Sequence, residues 1–125
     1  MIGKIYRSRF PFYSKAQHRL AFKSRPVLII GAADFNDYNV LPISRVTLRQ
    51  YLNPDYDIPL DPVTYPLLGL KAGVTSYIRV HKQSVIHAKD ILSPYGDLKG
   101  NYPDMYLHIL TKLEQYIRTL LDMAL

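Results

Sequence analysis

Residues 24–31, SRPVLIIG, are the stretch on which the fold assignment depends. Pro26 precedes four consecutive apolar residues, and Gly31 ends the run. A short apolar run bounded by turn-forming residues is typical of a buried β-strand. Residues 34–39 are rich in Asp and Asn and predict a turn, after which residues 38–44 predict the next strand. This part of the chain therefore predicts two consecutive strands.

The chain before this pair also has a β pattern. Residues 3–12 are rich in aromatic and alternating residues, and they predict a strand that ends at Pro11, because proline cannot donate a hydrogen bond within a sheet. Residues 13–24, YSKAQHRLAFKS, are polar and basic and contain few turn formers. We expect them to form a long exposed loop between the first two strands.

The chain after the pair stays β up to about residue 92. Four prolines in residues 53–66 exclude a helix interior and favour edge strands or extended loop. Residues 74–82 alternate Ser76, Ile78 and Val80 with Tyr77, Arg79 and His81, which indicates a half-buried strand. A further short strand is expected at residues 85–87.

From residue 103 the sequence has a helical period. Pro103 and Asp104 suit the first turn of a helix, where a missing N–H is tolerated and a negative charge faces the positive end of the dipole. Apolar residues then recur at helical spacing and predict a helix over residues 103–123. One stripe contains Met105, Ile109, Leu113, Ile117 and Leu120.

These patterns predict a mainly β fold with a C-terminal helix. The length of 125 residues fits a single domain. We expect the β part, a small barrel, over about residues 2–92 and the helical part over about residues 93–125. A short helical turn is also expected at residues 93–94, before Gly96.

The charge is unevenly distributed along the chain. The 16 Lys and Arg residues exceed the 10 Asp and Glu residues, which gives a net charge of +6, and no carboxylate precedes Asp34. A basic region of this kind suggests a surface that meets an anion, most commonly a nucleic acid, although solubility alone is an alternative. The 11 tyrosines suit stacking on unpaired bases, but they also suit the core of a small β-domain.

Several classes of site are excluded or disfavoured. The chain has no cysteine, so it has no disulfide, thiolate zinc site or thiol nucleophile. The four histidines are scattered, and no general nucleotide-binding or hydrolase motif is present. We therefore expect no metal site and no cofactor. The N-terminus does not look like a signal peptide and no apolar run could span a bilayer, so a cytoplasmic protein without membrane contact is expected.

Three segments occur in an order and at a spacing that resemble a known family. They are residues 24–31 (SRPVLIIG), 41–47 (LPISRVT) and 75–91 (TSYIRVHKQSVIHAKDI), and residues 95–106 (YGDLKGNYPDMY) follow them. Together they resemble the PemK/MazF family of toxins. The resemblance implies an SH3-like barrel of the PemK/MazF/CcdB type that forms a homodimer, and a cognate antitoxin that blocks its RNA groove. It also implies an mRNA interferase, a metal-independent endoribonuclease that cleaves single-stranded RNA through attack of the ribose 2′-hydroxyl on the adjacent phosphate.

The same resemblance assigns roles to individual residues. Arg25 matches the family's catalytic arginine, and a planar guanidinium suits the charge that builds up on the phosphate oxygens. Ser44 matches a Thr or Ser whose hydroxyl would assist. His81 and Lys82 depart from the acid and Gln that the family usually has there. The residues predicted to contact RNA are Lys15, His18, Arg19, Lys23, Arg45, His81, Lys82 and Ser84.

Two alternatives remain open from the sequence. Small SH3-like barrels also bind nucleic acid without cleaving it, because a fold does not determine a function. A toxin of the same fold could also act on a protein such as gyrase. The sequence does not reveal the RNA motif that would be cleaved.

Overall fold

Seven β-strands in antiparallel pairs form the sheet of the structure, a computed structural model that describes residues 1–125. The strands are β1 (Lys4–Ser14), β2 (Arg19–Ala32), β3 (Asp37–Ser44), β4 (Asp57–Leu60), β5 (Ser76–Arg79), β6 (Ser84–His87) and β7 (Ile91–Asp97). Two helices follow, α1 (Leu98–Asn101) and α2 (Pro103–Ala124). The predicted mainly β fold with a C-terminal helix is confirmed, and the sheet curls into a half-barrel.

The sheet has the strand order β4-β5-β3-β2-β1-β7, and β6 pairs with β3 away from this path. Strand β3 is therefore central, with β2, β5 and β6 as partners. The larger core includes Ile5, Leu28, Ile43 and Ile78 and extends to α2. A smaller core on the other face of the sheet consists of Val27, Ile29, Val40 and Ile86. Successive residues of a strand point alternately into these two cores, so every second side chain of a strand lies on the same face of the sheet.

The prediction of a loop at residues 13–24 is wrong. Strands β1 and β2 form a long hairpin, paired without interruption from Ile5 opposite Leu28 to Ser14 opposite Arg19, so that only residues 15–18 form the turn. The outer part of this ribbon extends beyond the rest of the sheet, and none of residues 11–24 is buried. Pro11 lies beyond the stretch of β1 that β7 covers, where a strand tolerates a missing N–H group.

Cations stacked on aromatic rings stabilise the hairpin across its strands. The Arg9 guanidinium lies 4.8 Å from the centroid of the Phe22 ring, and the Lys23 ammonium lies 5.1 Å from that of Phe12. Such contacts contribute about 0.5–1 kcal/mol each at exposed sites. The basic composition of this segment is therefore compatible with regular β-structure.

The predicted terminal helix is confirmed, and its first half carries the contacts with the core. Tyr106 and Ile109 are buried, whereas Ile117 and Leu120, in the second half, are exposed. The prediction of a helical turn at residues 93–94 is wrong, because these residues belong to edge strand β7, where a proline is tolerated. No helix is both long enough and apolar enough to span a membrane.

Candidate functional site

A cleft of about 490 Å³ opens where strands β2 and β3 separate beyond their last paired residues. Its walls come from β2, β3 and the loop that follows β3, from the loop before β5 and the start of β5, and from β7. Four of its lining residues are cationic and none carries a carboxylate, so the cleft suits an anionic ligand. The lining residues are Lys23, Ser24, Arg25, Pro26, Ile43, Ser44, Arg45, Thr47, Leu70, Lys71, Val74, Ser76 and Tyr95.

Arg25 is held in a fixed position in this cleft. Its Nη1 donates a hydrogen bond to Ser44 Oγ at 3.0 Å, and its guanidinium carbon lies 5.0 Å from the centroid of the Phe10 ring. The Nε atom is buried and has no hydrogen-bond partner in the protein. Burial lowers the pKa of Arg25, and the positive charge of Arg79 lowers it further. The guanidinium is thus a preorganised cation with an unused donor.

The strand register explains why Arg25 and Ser44 meet. Val27 pairs with Pro42, and moving two residues outward along both strands places Arg25 opposite Ser44 on the same face. Ser44 is itself paired with Tyr77 of β5, which holds it in place from the other side. Its hydroxyl accepts from Arg25 and still has a hydrogen that it can donate to a ligand.

Four of the predicted RNA contacts lie along the hairpin beside the cleft. Lys23 lines the cleft, and burial lowers its pKa, with the nearby charge of Arg25 acting in the same direction. Lys15 and His18 lie in the exposed turn at the hairpin tip, and Arg19 begins β2 next to them. Arg45 also lines the cleft, immediately after Ser44. The structure thus places five of the eight predicted RNA contacts on the cleft or its hairpin.

The other three predicted contacts lie outside the cleft. The prediction that the strand at residues 74–82 includes His81 is wrong, because β5 ends at Arg79 and His81 lies in a 3₁₀ turn with 14% of its side chain exposed. Its ring packs near Tyr56 and Tyr116, with centroid distances of 6.4 and 6.5 Å. Lys82 is exposed in the same turn, and its carbonyl accepts a hydrogen bond from Ser84 Oγ at 2.8 Å.

His81 faces a buried carboxylate without bonding to it. Its Nδ1 lies 3.8 Å from Asp57 Oδ1 and has no hydrogen-bond partner. Burial lowers the pKa of His81, and the negative charge of Asp57 opposes that shift only in part. The imidazole is therefore neutral at neutral pH.

Sequence reasoning missed the ion pair between Asp57 and Arg79. Arg79 Nε donates to Asp57 Oδ1 at 3.0 Å and its Nη2 donates to Oδ2 at 3.4 Å, while the backbone N–H of Asn53 donates to Oδ2 at 2.8 Å. The two residues oppose each other on β4 and β5. The alternation at residues 74–82 did place Arg79 on one face of a strand, but it gave no information on the partner across the sheet.

Potential metal ligands are scattered in the fold as well as in the sequence. The structure contains no group of three or more His, Cys, Asp or Glu side chains that could hold a metal ion.

The fold is that of known toxins. The Mycobacterium tuberculosis toxin MazF-mt6 superposes with a TM-score of 0.58 and 20% sequence identity, covering 95% of this chain and 96% of that chain. A crystal structure of an Mtb toxin superposes with a TM-score of 0.56 and 18% identity, covering 86% and 99%. No family model and no curated protein matches the chain. The resemblance to PemK/MazF toxins predicted from the three segments is thus confirmed at the level of the fold.

Proposed function

We propose that the protein is a toxin of the PemK/MazF type that cleaves single-stranded RNA without a metal ion. The observation that carries the proposal is the guanidinium of Arg25. It is fixed by Ser44 and Phe10, it has no carboxylate partner, and it lies in a cleft lined by cations. A partly buried cation without a counter-charge is costly for a protein to maintain, and a bound phosphate would supply the missing charge.

The chemistry requires charge stabilisation and positioning. The 2′-hydroxyl of a ribose attacks the adjacent phosphorus, and the bond from phosphorus to the 5′-oxygen breaks. The 2′-hydroxyl loses one proton and the leaving 5′-oxygen gains one, so the reaction has no net change in protons. The products are a 2′,3′-cyclic phosphate and a 5′-hydroxyl. Negative charge builds up on the non-bridging oxygens during the attack, and Arg25 can bind two of them at once. Because the nucleophile is part of the substrate, holding it in line with the bond that breaks supplies much of the acceleration.

The surroundings of Arg25 suit this reaction. The Ser44 hydroxyl can donate to a phosphate oxygen, since its oxygen already accepts from Arg25. Lys23, Arg45 and Lys71 line the same cleft and can bind flanking phosphates without regard to sequence. The exposed cations of the hairpin continue this basic surface away from the cleft, and would attract a single strand by long-range electrostatics.

The proposal is tested by incubating the purified protein with single-stranded RNA and with DNA of the same sequence in excess EDTA. We expect RNA fragments that end in 2′,3′-cyclic phosphates, and intact DNA. Arg118→Ala is the matched control for Arg25→Ala, because Arg118 is an exposed arginine on α2 that pairs with Glu114. Cleavage only with Mg²⁺ would refute the mechanism. RNA binding without cleavage would favour a binding module, and neither binding nor cleavage would favour a toxin with a protein target.

The proposal includes the partners that the resemblance implies, a second copy of the chain and an antitoxin, in a single-domain cytoplasmic protein. Exposed apolar residues in the second half of α2, such as Leu121 and Met123, suit burial in an assembly. A symmetric homodimer would sediment at about 29 kDa, twice the chain mass of 14.4 kDa. A species that stays at the mass of one chain at high concentration would contradict the homodimer.

A further inference from the structure

Tyr95 lies on the wall of the cleft formed by β7 and is the only aromatic residue among those that line it. In the pairing of β7 with β1, Ile5 opposes Gly96 and Tyr6 opposes Pro94, so that Tyr95 has no partner across the strands. This is a β-bulge. Bulges redirect a side chain, and they are over-represented next to active sites.

The backbone that carries Tyr95 is packed too closely to shift easily. A Cβ atom at Gly69 would lie 2.9 Å from the carbonyl oxygen of Tyr95, and one at Gly96 would lie 2.6 Å from the carbonyl oxygen of Leu67. Gly69 also has a φ of +71°, which favours glycine. The turn before Gly69 therefore packs directly on β7. The bulge and this packing together fix the backbone at Tyr95 and therefore the direction of its Cα–Cβ bond.

The Tyr95 side chain forms no aromatic pair and no hydrogen bond within the protein, and the residue is 36% exposed. Other tyrosines of the fold do form such contacts. Tyr65 and Tyr102 form an edge-to-face pair, and the Tyr102 hydroxyl accepts a hydrogen bond from the backbone N–H of Leu67.

We propose that Tyr95 is a stacking platform for one base of the single-stranded RNA whose phosphate is bound at Arg25. The inference rests on the proposed function. Cations in the cleft can bind the phosphate backbone, but phosphate contacts do not hold a base in position. An exposed aromatic ring in a basic groove is the usual way in which proteins hold unpaired bases. Tyr95 would thus hold the nucleotide next to the scissile phosphate, while the nearby Lys71 binds a flanking phosphate.

The test is the binding of a short 2′-O-methyl RNA, which has no free 2′-hydroxyl and cannot be cleaved by the proposed mechanism. Fluorescence anisotropy would compare the wild type with Tyr95→Ala, Tyr95→Phe and the control Phe35→Ala. Phe35 is a fully exposed aromatic in the turn between β2 and β3, outside the cleft. We expect Tyr95→Ala to weaken binding by about 5- to 150-fold, the range for loss of one base stack. Tyr95→Phe and Phe35→Ala should bind like the wild type.

A set of oligonucleotides, each with one abasic position, separates stacking from a general loss of structure. In the wild type, one abasic position should weaken binding about as much as Tyr95→Ala does, and that position should have no further effect in the variant. The binding affinities of the wild type and Tyr95→Ala should depend on salt concentration with the same slope, because Tyr95 neutralises no phosphate. Equal affinities of Tyr95→Ala and wild type, or a loss that no abasic position reproduces, would overturn the inference. If the wild type itself does not bind RNA, the proposed function fails and the inference fails with it.

Discussion

Arg25 and Arg79 lie on the two strands that flank β3, on the same face of the sheet, yet their surroundings are opposite. Arg79 makes a two-pronged contact with Asp57, whose side chain is only 1% exposed. Arg25 has a serine hydroxyl and an aromatic ring as partners and no carboxylate. The presence or absence of a counter-charge therefore distinguishes an arginine that holds the sheet together from one that is available for a ligand.

The two arginines also influence each other. The charge of Arg79 contributes to the lowered pKa of Arg25, although burial is the larger cause. Asp57 balances Arg79, whereas no carboxylate balances Arg25 or the other three cations that line the cleft. An anion bound in the cleft would relieve this imbalance. The comparison predicts that substitutions at Arg25 change activity, whereas substitutions at Arg79 or Asp57 change stability.

The largest expected effect is on the rate of RNA cleavage in Arg25→Ala. Loss of one preorganised donor to a transition-state oxyanion costs about 100- to 1000-fold in rate. The loss here should reach at least that size, because the donor is charged and contacts two oxygens. Single-turnover cleavage measures it, and urea unfolding checks that the variant stays folded. Full activity in Arg25→Ala would remove the basis for the proposed active site.

Two further variants serve as comparisons for Arg25→Ala. Arg25→Lys should restore little activity, because an ammonium cannot make a two-pronged contact with a phosphate. Ser44→Ala should reduce the rate less than Arg25→Ala does, since a neutral hydroxyl stabilises less charge than a cation. A larger loss in Ser44→Ala than in Arg25→Ala would mean that the hydroxyl is the principal catalytic group.

The second effect is on stability, in Arg79→Ala and Asp57→Ala. Removing one partner of a buried ion pair leaves the other charge unpaired, and each variant should lower the free energy of unfolding by about 3 kcal/mol. For a domain of this size the midpoint of thermal unfolding should fall by about 10 °C. Thermal unfolding followed by circular dichroism provides the measurement. Equal stability of Arg79→Ala and the wild type would show that the ion pair does not hold β4 to β5.

The third effect concerns the salt dependence of RNA binding by the hairpin. Replacing Lys15, Arg19 and Lys23 by glutamine should reduce the slope of log affinity against log salt concentration by about 0.7 per lost phosphate contact with a single strand. Binding measured over a range of salt concentrations gives the slope. Replacing Lys112 and Arg118 on α2 is the control and should leave it unchanged. The same slope in the hairpin variant would mean that the hairpin charges serve solubility only.

The smallest effect is a pH dependence of stability that originates at His81. Asp57, Arg79 and Lys82 influence its charge, and Tyr56 and Tyr116 pack against its ring. Because the pKa of His81 is lower in the folded protein than its ordinary value of 6.5, the unfolded chain binds the proton more readily. The free energy of unfolding is therefore unaffected by this group well above pH 6.5, where His81 is neutral in both states, and it decreases as the pH falls below 6.5.

His81→Gln removes the titrating group and should flatten this part of the stability profile. Urea unfolding of wild type and variant between about pH 5 and pH 8 measures the difference. A wild-type protein that gains stability as the pH falls would mean that protonated His81 pairs with Asp57 after all.

Periodicity in the sequence predicted much of the fold, but not the pairing of side chains across the sheet. The apolar run at residues 27–30 and the helical stripe after residue 103 correctly predicted β2 and α2. The extended hairpin was missed because residues 13–24 are polar and basic and none of them is buried, so no buried apolar stripe marks the strands there. The pair Asp57–Arg79 was missed because register, and not spacing in sequence, joins residues that are 22 positions apart.

Part of the candidate site could also be predicted. Arg25 and Ser44 were chosen by resemblance, and the structure brings them within 3.0 Å of each other. The alternating pattern continues to His81 and predicts a strand there, whereas the chain turns into a 3₁₀ helix at Val80. Sequence patterns do not single out Tyr95, because a bulge depends on the register of two strands that are far apart in the sequence.

The central claim is that the cleft at Arg25 uses the substrate's own 2′-hydroxyl to cleave RNA. The most direct test maps one cleavage site in a single-stranded RNA and then replaces the 2′-hydroxyl at that nucleotide by hydrogen. In excess EDTA, we predict that cleavage at this position stops. A DNA strand with one ribose at the same position should be cut there, leaving a 2′,3′-cyclic phosphate. Cleavage at the 2′-deoxy position, or cleavage of either strand only with Mg²⁺, would contradict the claim.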